Sequence, residues 1–128
     1  MRFRVQKLIR VRLPVIMRGQ GLAVFDRRLD DAEFVSALGD KLVEEANEAR
    51  LANPDEIAGE LADVLEVVHA LAAAHGLSLQ EVEVARLAKR AERGGFDARV
   101  YNAAVEATDG LPAAAYYLAR PLQYPRED

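Results

Sequence analysis

The sequence predicts an all-α fold whose core is an antiparallel helical hairpin. Three observations point there. Hydrophobic residues make up 51% of the 128, aromatics only 6%, and Trp is absent. A core of Leu, Val and Ala favours helices over a β-sandwich. Ile57, Leu61, Val64, Val68 and Leu71 recur at i, i+4, i+7, i+11 and i+14, a single apolar stripe at helical period. Helix-starting and helix-stopping residues also divide the chain at short intervals.

The opening segment, Met1 to Gly21, is basic: Arg2, Arg4, Lys7, Arg10, Arg12 and Arg18, with no acid before Asp26. Within it Ile9 to Leu13 alternates like a strand. Gly19-Gln20-Gly21 reads as a loop, and Leu22 to Leu29 as a short extended piece. The first strong helix opens at Asp30 or Asp31, either of which can accept from first-turn amides, and Glu33 adds favourable charge. It runs through Phe34, Leu38, Leu42 and Ala49 and stops near Asn53, because a residue before proline avoids the α region. Pro54 suits the first position of the second helix, which ends at Gly76. Ser78 with Glu81 makes a capping box for a third helix reaching Arg93 and Gly94-Gly95. Phe96 to Tyr101 reads as irregular, Pro112 to Arg120 as a short helix, and Pro121 and Pro125 keep the last residues irregular. The whole chain, residues 1–128, reads as one domain without repeats. So few helices bury limited surface, and a dimer would complete the bundle.

Composition excludes several functions. With no cysteine there is no disulfide, thiolate metal site or cysteine nucleophile. Two histidines make a His-rich metal site a poor reading, and a net charge of -4 gives no global attraction to nucleic acid or anionic membrane. No apolar run approaches the roughly 20 residues of a membrane span. Met1 to Pro14 lacks the apolar stretch of a signal peptide, so the expected location is the cytoplasm.

The chemistry lies in Glu44-Glu45-Ala46-Asn47-Glu48 and Glu60-Leu61-Ala62-Asp63. Residues three apart share a helix face, so Glu45 and Glu48 form one ledge, and Glu60 and Asp63 another. Positions 48 and 60 are equidistant from Pro54, as are 45 and 63, so an antiparallel hairpin brings the ledges level. Glu45 lies within about 20° of Leu38 on a helical wheel, and Glu60 about 40° from Val64, both inside apolar stripes. Glu48 and Asp63 sit at the stripe edges, Glu44 further round. Either pair alone suits a solvated face, and Lys41 has the i, i+4 spacing to pair with Glu45. Both pairs, level and apolar-flanked, favour a cation site. Buried carboxylates repel and lose hydration, which a divalent ion relieves. All-oxygen donors select hard ions, Mg²⁺ first and Mn²⁺ second.

This pattern resembles the MazG-like all-α nucleoside triphosphate pyrophosphohydrolase superfamily, which includes phosphoribosyl-ATP pyrophosphohydrolases and all-α dUTPases. The stretch from Lys7 to Pro14 is similar to the KLVRDKIP opening of one small MazG-like branch, with Val11 in place of its aspartate. Leu29 to Phe34 with Lys41 to Glu45 is similar to that branch's first catalytic helix, and Lys89 to Phe96 to its KxxERGGF signature. The likeness covers residues 7–96 and leaves 97–128 unassigned. The gap between Glu48 and Glu60 is short for the family, which implies a tight hairpin.

The resemblance implies hydrolysis of a nucleoside triphosphate between the α and β phosphates, yielding monophosphate and pyrophosphate. Glu45, Glu48, Glu60 and Asp63 would hold Mg²⁺, with Glu44 and Glu45 as the catalytic pair. Glu44 would be a further ligand or the base for the attacking water. Substrate phosphates need cations. Lys89, Arg90 and Arg93 cluster at the end of the third helix, and Lys7 and Arg10 stand in the opening segment. The competing readings are a phosphoribosyl-ATP pyrophosphohydrolase and a non-catalytic helical dimer that binds nucleotide or protein. His69 reads as a packed or surface residue and His75 as a helix end. Tyr101, Tyr116 and Tyr117 read as core or dimer contacts rather than base-stacking platforms.

Overall fold

The computed structural model describes all residues 1–128. It contains five helices and no strand: α1 (Leu13–Gly19), α2 (Asp31–Leu51), α3 (Ile57–Ala74), α4 (Leu79–Arg93) and α5 (Pro112–Leu118). The chain divides into two compact units, Met1–Glu92 and Arg93–Asp128.

In the first unit α2 and α3 pack on each other as the expected hairpin. The capping residues act as the sequence suggests. The Asp30 carboxylate accepts the Glu33 amide at 2.8 Å, and the Glu33 carboxylate accepts the Asp30 amide at 3.4 Å. Two first-turn donors are thereby satisfied. At the far end of α3, Gly76 adopts φ +70°, and the Leu77 amide reaches back 2.8 Å to the Ala72 carbonyl. That left-handed step is cheap only for glycine. Ser78 and Glu81 then cap α4 reciprocally, at 2.7 and 3.1 Å.

Two local expectations need correction. Pro54 does not open α3. It is the second residue of a turn closed by the Glu56 amide on the Asn53 carbonyl at 2.9 Å, and α3 begins at Ile57. Proline's fixed φ suits that turn position as well as a helix start. The alternation from Ile9 to Leu13 does not make a strand, since it has no partner strand to satisfy its backbone. Pro14 instead enters the first turn of α1, where its missing N–H costs nothing.

The core of this unit is thin. Leu38, Val67 and Ala72 are its buried apolar residues. Val64, Val68 and Leu71 are half-buried, whereas Leu61 and Leu65 are each 54% exposed. The packed face of α3 thus extends beyond the apolar stripe to take in Glu60, Asp63 and Val67. Val84 and Leu87, on the apolar side of α4, are exposed too. In the second unit Ala114 of α5 is buried. Tyr117 stacks edge-on against Tyr116 and Tyr124 at 5.2 and 5.0 Å, and Arg120 lies 3.9 Å over the Tyr116 ring.

Leu38 is 4% exposed at the hairpin seam. Leu38→Ala should cost about 2–5 kcal/mol of unfolding free energy. Urea denaturation followed by circular dichroism measures this; a loss below 1 kcal/mol would mean the seam is not the core.

Candidate functional site

The site lies where the two helices of the hairpin face each other. α2 presents Glu44, Glu45 and Glu48, and α3 presents Glu60 and Asp63. Glu45, Glu60 and Asp63 each place a carboxylate oxygen within 4.8 Å of the other two. Glu45 is 7% exposed. Its Oε1 forms an ion pair with Lys41 Nζ at 3.2 Å. Its Oε2, and Oε2 of Glu60, are buried with no hydrogen-bond partner. Such orphaned acceptors are rare, because each forfeits its hydration for nothing.

The other acids are arranged differently. Glu44 turns away to Lys7 at 2.7 Å and Lys41 at 3.3 Å. The hydrogen bond from Lys7 holds its carboxyl below the usual range, and the same contact raises the Lys7 ammonium. Glu48 is exposed. The negative charge of Glu45 is the main reason that its carboxyl lies above the ordinary value, with desolvation and the charges of Glu60 and Glu44 adding. Asp63 accepts from the Arg10 guanidinium at 2.7 Å.

Of the four expected ligands, then, three converge and Glu48 stands beside them. Lys41 does pair with Glu45, as spacing allows, yet one oxygen of Glu45 stays open. Lys7 and Arg10, expected at substrate phosphates, contact the acids themselves. Lys89 is exposed on α4, and Arg93 begins the second unit. His69 is exposed and His75 is the C-cap of α3.

A cavity of about 190 Å³ adjoins the carboxylates. The sequence reading did not anticipate it. Leu8, Ile9 and Arg10 form one wall, Phe34, Leu38 and Lys41 another, with Glu66, Val67 and Ala70 opposite. A signal was present: Phe34, Leu38, Lys41 and Glu45 fall at i, i+4, i+7 and i+11, one face of α2. The donor set is all oxygen, two of its atoms lack partners, and its charge is negative. A hard divalent cation fits this arrangement.

The proton on Glu48 is held more tightly in the folded chain than in the unfolded one. Its ionisation therefore lowers stability, with no cost well below the ordinary value of 4.5 and the full cost above the raised folded value. With divalent ions chelated, Glu48→Gln should raise Tm near neutral pH and leave it unchanged well below 4.5. Thermal melts at the two pH values test this, and an unmoved neutral Tm would contradict the repulsion.

A family model described as phosphoribosyl-ATP pyrophosphohydrolase matches residues 23–91. Searches of the curated proteins and of the solved structures found no match. The matched span contains α2, α3, all five acids and most of α4, and it begins after the basic opening segment. The carboxylate cluster lies inside the matched span. The chain belongs to the phosphoribosyl-ATP pyrophosphohydrolase family, within the MazG-like all-α pyrophosphohydrolases, whose activity is the hydrolysis of a nucleotide pyrophosphate linkage.

Proposed function

We propose that this chain hydrolyses a nucleoside triphosphate between its α and β phosphates in the presence of Mg²⁺, releasing monophosphate and pyrophosphate. The observation that carries the reading is the pair of buried, partnerless oxygens on Glu45 and Glu60 within the cluster that includes Asp63. Glu45, Glu60 and Asp63 would hold the ion, with Glu48 as a fourth ligand and Mn²⁺ as a substitute. When bound, a divalent ion supplies Lewis-acid stabilisation of charge on the phosphoryl oxygens.

The chain's own residues supply the rest. Glu44 is kept ionised by Lys7 and Lys41, so it can accept a proton from the attacking water. The water oxygen bonds to phosphorus as the bridging oxygen departs with the leaving phosphate group. Both products remain anionic, and Lys7 and Arg10 would offset that charge. Lys89 and Arg93 would join them from a second copy. The exposed Leu61, Leu65, Val84 and Leu87 supply apolar surface for such a homodimer or a higher oligomer. Removal of non-canonical nucleotides in the cytoplasm is the role that fits this chemistry.

A second reading keeps the site and changes the substrate to phosphoribosyl-ATP. The description of the matching family favours it, while the Lys7 to Pro14 segment resembles the smaller MazG-like branch. A panel of canonical and modified nucleoside triphosphates plus phosphoribosyl-ATP, scored for pyrophosphate, separates the two. Release of orthophosphate alone would contradict the cleavage position. Mg²⁺ and nucleotide binding without turnover would identify a binding-only dimer.

Glu45→Gln should reduce turnover by more than the roughly 10–100-fold that follows loss of an outer-shell partner, with helical circular dichroism unchanged. Undiminished turnover would remove Glu45 from the mechanism.

A further inference from the structure

The basic opening segment lies outside the matched family span, yet two of its cations contact the acids. Lys7 Nζ is 2.7 Å from Glu44, and Arg10 Nη2 is 2.7 Å from Asp63. Asp63 is also one of the three carboxylates close enough to share a cation. Arg10 lies on irregular backbone and its side chain is 56% exposed. Lys41, by contrast, is built into α2 and its side chain is 17% exposed. The cluster therefore has one fixed cation and one that can leave.

We infer that Arg10 is a displaceable internal cation that occupies Asp63 until a divalent ion takes its place. This rests on the metal reading above. A guanidinium at Asp63 neutralises the same charge that a divalent ion needs, so the two compete. An exposed ion pair is weak, so the exchange is easy. The released guanidinium stays at the wall of the cavity that adjoins the acids, free to meet an anionic group there. Arg10 thus positions Asp63 in the metal-free protein and lowers affinity for the ion without being a ligand.

The experiment is Mn²⁺ binding to the full chain without nucleotide, followed by electron paramagnetic resonance of free Mn²⁺ at low salt. Arg10→Gln should tighten binding by about two- to five-fold, the range expected from losing an exposed ion pair. The gain should shrink as salt screens the charges. Arg10→Lys keeps the positive charge and should stay near wild type. Arg12→Gln removes a neighbouring exposed charge and should change affinity less than Arg10→Gln. Unchanged or weaker binding in Arg10→Gln, or an equal gain in Arg12→Gln, overturns the inference. Absence of Mn²⁺ binding in the wild-type chain would instead sink the metal site itself. Should Arg10→Gln misfold, nuclear magnetic resonance of the wild-type chain decides the matter. The Arg10 guanidinium N–H signal, assigned by its loss in Arg10→Lys, must shift on Mg²⁺ addition, and a signal that stays in place overturns the displacement.

Discussion

Like charge held between two helices is the constraint on which everything else depends. Glu45, Glu60 and Asp63 bring their oxygens within 4.8 Å of one another. Two unit charges at that separation repel by roughly 3 kcal/mol at an effective dielectric of about 20. Such a pair rivals much of the roughly 5–15 kcal/mol that holds a small domain together. The carboxylates must therefore be met by cations, and the layout of the unit reflects that demand.

The demand is met in layers. Lys41, one turn before Glu44 and Glu45 on the same helix, bridges both. Lys7 and Arg10 arrive from the irregular opening segment and take Glu44 and Asp63. Two oxygens still have no partner. What the protein's own cations leave unsatisfied is an oxygen-lined, anionic position between the helices, next to a cavity. The thin apolar seam around Leu38 and Val67 borders this position on one side. It also leaves Leu61 and Leu65 of α3 exposed.

Much of this was legible in the residues. The i, i+3 ledges and their symmetry about Pro54 grouped Glu45, Glu48, Glu60 and Asp63, of which all but Glu48 converge, because helical period and an antiparallel turn are set by local chemistry. The Ser78–Glu81 box, the Gly76 stop and the start of α2 at Asp30 are likewise local, each made of neighbours within a few positions. Pro54 misled because proline satisfies both a turn and a helix start, and only the Asn53 carbonyl decides between them. The alternation from Ile9 to Leu13 misled because a strand needs a partner, which no local pattern guarantees.

By itself, the sequence determined the helical class, the hairpin and which acids could meet, since these follow from periodicity and capping over short spans. Tertiary structure alone decided how far the packed face of α3 reaches, the pairing of Lys7 with Glu44 and Arg10 with Asp63, and the walls of the cavity. Those features join residues 37 and 53 positions apart, and an irregular segment has no period from which its landing place can be read. Charge could say that the arm and the acids attract; only the folded chain could say which oxygen each cation holds.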